Sequence, residues 1–328
     1  MTGPAPGGLP ISMGDVRAAA GRLQGVVNRT PCQSSRWLNS QLGLEAVFKC
    51  ENLQRTGSFK IRGAYNAIAS LPDHDRKHGV VAASSGNHAQ GVALSASLLG
   101  IHAVICMPTD APESKKAATR DYGAEVIEYD RQQETLEGVM ERVAAERGMT
   151  PIPPFDHPAI MAGQGTLALE LWEEAGPLDA LVVPLGGGGL LSGCATVAKA
   201  LSPGCRVVGV EPETANDWVL SIARGEPVTI DPPSTIADGV RTRRPGNITW
   251  QQVRALVDDI VTVSDDDIRD AMRRIVQRMK LVVEPSGAIA LAALVTGAAG
   301  IPPGARTGVV ISGGNVDPAV LCEVITAA

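Results

Sequence analysis

The sequence predicts an α/β protein made of two open, twisted and mostly parallel sheets flanked by helices. Short β-branched runs alternate with longer stretches of helical periodicity along almost the whole chain. The alternation is broken at residues 151–158 (PIPPFDHP), where proline at four of eight positions forbids a continuing helix. We therefore expect two α/β domains, with ligands bound at the carboxyl ends of the strands.

The chain up to residue 150 is predicted to form strands that are each followed by a helix. A strand at residues 46–51 leads into a helix of amphipathic spacing, for which Ser58 is the candidate N-cap. Three more strand-and-helix pairs follow, at residues 79–83 and 87–99, 101–107 and 115–122, and 124–129 and 134–147. This is the pattern of a parallel sheet covered by helices.

The same alternation resumes after the proline-rich interruption. The predicted elements are a helix ending at Trp172, strands at residues 180–183 and 207–210 that are each followed by a helix, a strand near Ile260, helices at residues 265–280 and from Pro285, a strand at residues 308–311 and a terminal helix. Residues 227–247 are rich in Pro and Gly and carry no clear periodicity. The first ten residues, also rich in Pro and Gly, are expected to form a tail.

Composition excludes several functional classes. The 328 residues are 44% hydrophobic and only 3% aromatic, and they carry a formal net charge of −6, which argues against a nucleic-acid partner. The six cysteines show no CxxC pair and no metal-ligand spacing, as expected for reduced thiols. No apolar run approaches the length of a membrane span. We therefore expect a cytoplasmic protein without a membrane partner.

The stretch TGSFKIRGA (residues 56–64) places Lys60 directly after Phe59 at the start of a predicted helix. By itself, a lysine in the first turn of a helix is most often an ordinary surface residue. The alternative is a lysine held in a cleft as a nucleophilic amine. The loops that follow the predicted strands bear on this choice.

Two of these loops are suited to anions. Residues 84–88 (SSGNH) combine hydroxyls, an amide and helix N–H groups, and either bind a carboxylate or simply cap the helix. Residues 186–189 are four successive glycines after a strand, whose backbone amides can surround a phosphate. No Lys-Ser/Thr pair follows them and no register gives GxGxxG, so a nucleoside-triphosphate loop and a nicotinamide-dependent oxidoreductase are both disfavoured.

A third loop, SGGN (residues 312–315), places a serine hydroxyl after a strand, although alone it would be most simply a tight turn. Together, Lys60 and the loops provide a reactive amine, a phosphate site, a carboxylate site and a neutral hydroxyl. A cofactor with an aldehyde and a phosphate uses that set. The sequence thus predicts pyridoxal phosphate, which bonds a lysine as a Schiff base and serves as an electron sink for amino acids.

The chain resembles the fold-type II pyridoxal-phosphate enzymes of the threonine/serine dehydratase and serine racemase family, and is most similar to the single-domain catabolic threonine dehydratases. The resemblance runs from about Arg29 to the C-terminus, and the segments that carry it are TGSFKIRGA, SSGNHAQG, GQGTLALE, PLGGGGLLSG, VEPE, IADGV, VEPSGA and SGGN. It implies a tryptophan-synthase-β-like fold. Residues 1–74 and 151–328 would form a large cofactor-binding domain, and residues 75–150 a small mobile domain on the substrate side.

The resemblance also implies a role for each candidate residue. Lys60 would bond the cofactor and then remove the Cα proton of the substrate, while Phe59 packs beside the cofactor and Asn87 contacts its phenolic oxygen. Ser312 would face the pyridine nitrogen, and a neutral hydroxyl there leaves the ring a weaker electron sink. The other implied contacts are Gly186, Gly187, Gly188, Gly189 and Leu190 with the cofactor and Ser84, Ser85, Asn87 and His88 with the substrate.

The implied reaction is elimination of water from L-threonine or L-serine, which gives ammonia with 2-oxobutyrate or pyruvate. Ser85 keeps a serine racemase open, because racemases use a serine at this position to reprotonate the opposite face of Cα. Leu136 favours a dehydratase, since it stands where racemases place a substrate-binding arginine. Another β-hydroxy amino acid, such as threo-3-hydroxyaspartate, is a further alternative. A non-catalytic regulator that binds pyridoxal phosphate is disfavoured because the catalytic surroundings are intact.

A divalent cation and an oligomer are also implied. Glu211, the carbonyl of Ala215 and Asp217 match the family's metal-binding pattern, and oxygen ligands of this kind suit Mg²⁺, Ca²⁺ or Mn²⁺. A solvated acidic turn is the alternative for these residues. The family usually forms dimers or tetramers, so we expect a homodimer or homotetramer. Asp238 and Arg241 are candidates for discrimination between substrates.

Overall fold

The computed structural model describes residues 8–326, apart from the side chain of Ser114. The strands are β1 (Cys32–Gln33), β2 (Glu45–Cys50), β3 (Val80–Ala83), β4 (Ala103–Pro108), β5 (Glu125–Tyr129), β6 (Thr150–Pro151), β7 (Ala180–Pro184), β8 (Arg206–Pro212), β9 (Asp259–Val263) and β10 (Arg306–Ile311). The predicted tail at residues 1–10 lies partly outside the described residues, which begin at residue 8.

Helices cover both sheets. The α-helices are α1 (Met13–Leu23), α2 (Arg36–Leu42), α3 (Lys60–Ala69), α4 (Asp73–His78), α5 (Asn87–Leu99), α6 (Glu113–Asp121), α7 (Leu136–Arg147), α8 (Pro158–Ala175), α9 (Gly189–Leu201), α10 (Asp217–Arg224), α11 (Asn247–Leu256), α12 (Asp265–Arg274), α13 (Pro285–Val295) and α14 (Pro318–Thr326). Short 3₁₀ turns occupy Glu51–Leu53, Arg55–Gly57 and Asp238–Val240, and a π turn, Ile275–Met279, continues α12.

The larger sheet has six strands in the order β1-β2-β10-β7-β8-β9. Only β1 is antiparallel to its neighbour, and the other pairs are parallel. The central strand β7 is buried along its whole length, as expected for a parallel strand covered on both faces. Helices α12 and α13 pack on one face, and α1, α8, α9 and α11 on the other. The carboxyl ends of the parallel strands therefore meet at one edge.

The smaller sheet has four parallel strands in the order β5-β4-β3-β6. Helix α7 packs on one face through Val139 and Val143, and α5 packs on the other. Helix α3 contributes Ala64 and Ile68 to this second core, although it lies before the predicted domain boundary at residue 74. Helix α3 thus packs with the smaller sheet, while the predicted domain division stays a prediction.

The fold class is confirmed, because two mostly parallel sheets flanked by helices are present. The prediction of Ser58 as the N-cap of α3 is wrong. Phe59 occupies the cap position, and Ser58 is extended because it forms an isolated antiparallel bridge with Gly313. None of the helices within residues 8–326 combines the length and the apolar character that crossing a membrane requires.

Candidate active site

A cleft of about 740 Å³ lies where the carboxyl edges of the two sheets meet. It brings together residues that are distant in sequence because the helices after several parallel strands all begin at this edge. All the residues predicted to contact cofactor or substrate line it, namely Phe59, Lys60, Ser84, Ser85, Asn87, His88, Gly186, Gly187, Gly188, Gly189, Leu190 and Ser312. Their individual roles stay predictions.

Lys60 is the first residue of α3, and its side chain reaches into this cleft. Its Nζ donates a hydrogen bond to the Pro154 carbonyl at 3.0 Å and lies 5.2 Å from the centroid of the Phe59 ring. Desolvation lowers the pKa of the amine to about 8, although the charge of Glu284 opposes the shift. Near neutral pH, an amine of this kind is neutral far more often than an ordinary lysine, and only the neutral form is a nucleophile.

The backbone that leads to Lys60 is held in an unusual conformation. Thr56 has a φ of 62°, in the left-handed region that a β-branched residue rarely adopts. Gly57 follows with a φ of 71°, and a Cβ there would collide with the side chain of Asn315. The Phe59 N–H then donates to the Ser312 carbonyl at 3.1 Å. These contacts tie the start of α3 to the loop after β10.

The other end of the same turn is fixed by a buried ion network. Arg62 is fully buried and makes paired hydrogen bonds to Glu51 and to Glu170 at 2.7–2.9 Å. Lys49 Nζ donates to Glu170 and to the Thr30 carbonyl, each at 2.6 Å. Desolvation raises the pKa of Glu170, but the hydrogen bonds from Arg62 and the two positive charges hold it below its usual value. This network anchors α3 two residues beyond Lys60.

The start of α5 is open to an anion. Its N-cap is Gly86, and no described side chain caps the helix. The first N–H groups of α5 are therefore not bonded to a capping side chain and can bind an anion. Ser84 Oγ accepts from the Gly86 N–H at 3.2 Å. The His88 ring is neutral, because burial and the charge of Lys60 lower its pKa to about 3. One ring nitrogen lies 2.9 Å from the Ile152 carbonyl. A carboxylate bound here would meet backbone N–H groups and neutral side chains.

The four-glycine loop is packed so closely against neighbouring side chains that larger residues would not fit. A Cβ at Gly187 would collide with the Phe155 ring, and one at Gly188, where φ is 92°, would collide with Trp218. The Gly186 carbonyl accepts from Trp218 Nε1 at 2.5 Å. Helix α9 then starts without a side-chain cap from any described residue. Phe155 and Trp218 therefore fix the loop, while the first N–H groups of α9 have no intrahelical acceptor. A phosphate site requires such free N–H groups.

Ser312 follows β10 and lies at the floor of the cleft. Its Oγ lies 3.3 Å from the Ser286 carbonyl, and the residue is only 4% exposed. The hydroxyl can donate and accept, so it could meet a ring nitrogen without adding charge. Glycines, the lysine and this hydroxyl together fit the predicted pyridoxal phosphate.

Among the cleft residues that the sequence did not single out, two contact a predicted site residue, Asn87. Glu284 and Asn315 both line the cleft, and each contacts the Asn87 side chain. They stand within the VEPSGA and SGGN segments, which was the available signal. What the sequence alone does not show is that both side chains turn toward Asn87, which lies 197 residues before Glu284 and 228 residues before Asn315.

The rim of the cleft is predominantly basic. Leu136 and Ser85 both line it, as do the two candidates for substrate discrimination, Asp238 and Arg241. Apart from Lys60, the charged lining residues are the basic Lys115, Arg131, Arg241, Arg243 and Arg244 and the acidic Glu137, Asp238 and Glu284. A ligand that carries an additional negative charge is thereby favoured at this rim.

The predicted metal ligands lie outside the cleft, at the end of β8 and the start of α10. Glu211 accepts from the Trp218 and Val219 N–H groups at 3.3 and 2.9 Å. Asp217 Oδ2 is buried without a hydrogen-bond partner in the described part of the chain. Burial raises the pKa of Glu211 to about 8 and that of Asp217 to about 7. No group of three or more His, Cys, Asp and Glu side chains within residues 8–326 could hold a metal, so a cation would also need carbonyl or water ligands.

Known proteins resemble this chain along most of its length. A family model described as "Pyridoxal-phosphate dependent enzyme" matches residues 23–313. An L-threo-3-hydroxyaspartate ammonia-lyase of Pseudomonas sp. is 54% identical over 92% of this chain and 95% of its own length. A catabolic L-threonine dehydratase of Escherichia coli strain K12 is 46% identical over 94% of both chains. The solved structure of maize serine racemase matches with a TM-score of 0.92 at 42% identity, over 96% of each chain.

Proposed function

Because this chain belongs to the family of pyridoxal-phosphate dependent enzymes, we propose that it is an ammonia-lyase that eliminates water from a small β-hydroxy amino acid. A proton leaves Cα and hydroxide leaves Cβ, and the enamine that remains hydrolyses to a 2-oxo acid and ammonia. One observation carries the proposal. Lys60 and the open N-termini of α5 and α9 converge on a single cleft.

Three parts of the cleft would hold the cofactor. The start of α9 with Gly186 to Gly189 would bind its phosphate, Ser312 would meet its ring nitrogen and Lys60 its aldehyde carbon. When bound, pyridoxal phosphate supplies the electron sink on which elimination from an amino acid depends.

The protein's own residues would position the substrate and move its proton. The N–H groups at the start of α5 would bind the α-carboxylate, which fixes the direction of the Cα–H bond. Lys60, once its amine is free, would take the Cα proton, and its lowered pKa keeps that amine neutral often enough to act as a base. Ser84 would help to fix the loop, since its hydroxyl already accepts from Gly86.

L-threo-3-hydroxyaspartate is the substrate that we favour. Its second carboxylate matches the basic rim of the cleft, where cations such as Arg241 and Arg244 outnumber acids. The Pseudomonas relative that is 54% identical bears the name of this activity. L-threonine and L-serine have the same reacting atoms and would be poorer substrates, because their side chains gain nothing from the rim.

The test is release of 2-oxo acid from these three amino acids, with pyridoxal phosphate and Mg²⁺ present. We expect a kcat/KM for L-threo-3-hydroxyaspartate at least about tenfold above that for L-serine, equivalent to 1.4 kcal/mol in transition-state binding. The Lys60→Ala variant is the control for non-enzymatic release. Equal or faster release from threonine would replace the proposed substrate, and no release from any of the three would reject the proposed reaction.

Racemisation of serine is the second candidate, and it rests on Ser85. This hydroxyl lines the same cleft as Lys60, so two residues that could exchange a proton with Cα are present. Chiral analysis of the serine left after reaction separates the two activities. If Ser85→Ala removes D-serine formation and keeps 2-oxo acid release, racemisation is a side reaction that depends on Ser85.

We also propose that Glu211, Asp217 and the Ala215 carbonyl bind a divalent cation such as Mg²⁺. The support is that two buried carboxylates lie within seven residues and that one oxygen of Asp217 lacks a partner among the described residues. The site lies outside the cleft, so its role would be structural or activating.

A further inference from the structure

Glu284 occupies the N-cap position of α13 but does not act as a cap. An acidic residue at this position usually accepts hydrogen bonds from the first N–H groups of its own helix. No such hydrogen bond is made by the Glu284 side chain within the described structure. Its Oε1 instead accepts from Asn87 Nδ2 at 2.7 Å, across the cleft. The carboxyl group is thus directed at the residue predicted to contact the phenolic oxygen of the cofactor.

The surroundings of Glu284 leave its side chain little freedom. The residue is 4% exposed, and its N–H donates to the Gly313 carbonyl at 3.2 Å. A Cβ at Gly313 would collide with Oε1, so only a glycine there permits this placement. Burial, with the charge of Asp238, raises the pKa of Glu284 to about 8, while the hydrogen bond from Asn87 and the charge of Lys115 oppose the shift. Burial of the Glu284 carboxyl group is therefore unfavourable in free energy, and the fold keeps it buried nonetheless.

The orientation of the Asn87 amide follows from its neighbours. The Thr56 carbonyl can only accept, so the end of the Asn315 side chain that faces it at 2.6 Å must be the amide nitrogen. That nitrogen also donates to Asn87 at 2.8 Å, which makes the facing atom Oδ1. The other end of Asn87 is then Nδ2, with one hydrogen directed to Glu284 and a second one free to donate into the cleft.

We propose that Glu284 is a positioning residue that fixes the Asn87 amide with its donor toward the cofactor's phenolic oxygen and thereby contributes to cofactor binding. This inference rests on the proposed function. Without an acceptor at position 284, the Asn87 side chain would lose one of its two anchors and would sample rotamers that withdraw Nδ2 from the cleft. Asn315 would be the second anchor, acting on the opposite end of the same amide.

Cofactor affinity of the apo-protein tests this directly. Pyridoxal phosphate is titrated into wild type, Glu284→Gln and Glu284→Leu, and binding is followed by the absorbance of the bound cofactor. Glutamine keeps an acceptor oxygen of the same reach, so we expect its Kd to stay within about threefold of wild type, whereas leucine should raise the Kd by about tenfold or more. The absorption maximum of the bound cofactor should also move in Glu284→Leu. An unchanged Kd and spectrum in Glu284→Leu would overturn the proposal.

Val283→Ala is the matched control for loss of packing. Val283 is buried next to Glu284 and contributes only apolar contacts. We expect it to lower the melting temperature and to leave the Kd within about threefold of wild type, since it makes no side-chain hydrogen bond. If Val283→Ala weakens cofactor binding as much as Glu284→Leu does, the effect is general destabilisation and the proposal fails.

A double-mutant cycle shows whether Glu284 acts through Asn87. In an Asn87→Ala background, Glu284→Leu should change the Kd by less than about twofold, because the side chain that it positions is absent. An undiminished tenfold effect would mean direct action on the cofactor and would overturn the positioning role. Should Glu284→Leu fail to fold, Glu284→Ala replaces it in the same cycle with the same expectation. A wild-type protein that binds no pyridoxal phosphate would instead reject the proposed function.

Discussion

Two groups of polar side chains lie on either side of the start of α3, and they differ in how completely they are paired. On one side, Arg62 forms paired hydrogen bonds with both Glu51 and Glu170, and Lys49 adds a third cation-to-carboxylate contact. On the other side, the Lys60 amine contacts one backbone carbonyl, and no described carboxylate lies within ion-pair distance. Lys49 is therefore fully buried with a carboxylate partner, whereas Lys60 is partly buried without one.

Completeness of hydrogen bonding distinguishes polar groups that stabilise the fold from polar groups that can bind a ligand. A buried charge is tolerated when every hydrogen-bonding position is used, as at Arg62. A desolvated group with an open position, such as Lys60, costs stability unless a ligand completes it, and perturbed groups of this kind are typical of functional sites. The same turn of helix carries both, so the paired side makes a rigid base for the unpaired one.

The largest expected effect separates the two lysines by activity. Lys60→Ala should reduce 2-oxo acid release by at least about 10³-fold, equivalent to about 4 kcal/mol, because it removes both the bonding amine and the base. Its melting temperature without cofactor should not fall. Lys49→Met is the matched control, and we expect it to lower stability and to retain most of the kcat. The contrast would be broken if Lys60→Ala unfolded the protein, or if Lys49→Met were stable and inactive.

The next effect is on stability. Arg62→Met should lower the free energy of unfolding by about 3–5 kcal/mol, because Glu51 and Glu170 would keep their buried charges with only Lys49 to balance them. Urea denaturation of the cofactor-free protein measures this. Arg29→Met removes an exposed ion pair with Glu173 and should cost less than about 1 kcal/mol. Equal costs for the two variants would show that the buried network is not an anchor.

The cleft residues with free hydrogen-bonding positions could be predicted from the sequence better than the buried ion network of Arg62. The glycines at residues 186–189 and the serines at residues 84 and 85 could be predicted, because loops after parallel strands meet at one edge whatever the packing. The Arg62 network could not, since its partner Glu170 is 108 residues away and periodicity carries no information on such contacts. Ser58 was assigned as a cap from local preference, and pairing with Gly313 overrode that preference.

The titration of Lys60 would sharpen the comparison without any need for activity. Its pKa is lowered to about 8 by desolvation, whereas an ordinary lysine titrates near 10.4. At pH 7, Lys60 in the cofactor-free protein should thus be neutral roughly 200-fold more often than an ordinary lysine. Acylation with trace acetic anhydride across a pH series, followed by mass spectrometry, reports the neutral fraction of each lysine. We expect Lys60 labelling to level off just above pH 8.

Exposed Lys77 is the internal reference in the same samples, since it lies on the surface helix α4. Glu284→Gln should move the Lys60 midpoint to lower pH, because the charge of Glu284 opposes the downward shift. If Lys60 labelling keeps rising to pH 10 instead of levelling off, its amine is not desolvated. Lys60 would then be an ordinary lysine, and the contrast with Lys49 would lose its physical basis.

The smallest expected effect concerns the open oxygen of Asp217, which resembles Lys60 more than Arg62 in being incompletely paired. Mg²⁺ at one hundred times its Kd would stabilise the folded protein by about 2.7 kcal/mol, a shift of several degrees in melting temperature. We expect a chelator to reverse that shift in wild type. Asp217→Asn should abolish the response, because the amide removes one of the two anionic ligands.

Glu213→Gln is the control for non-specific charge effects, since Glu213 is an exposed acid in the same loop and is not a predicted ligand. It should respond to Mg²⁺ as wild type does. If chelation leaves the melting temperature and the activity of wild type unchanged, the buried pair of Glu211 and Asp217 holds no cation. An incompletely paired polar group would then indicate a ligand site only at the cleft. The unpaired Asp217 oxygen would instead belong to a buried carboxyl group that stays protonated, as its raised pKa allows.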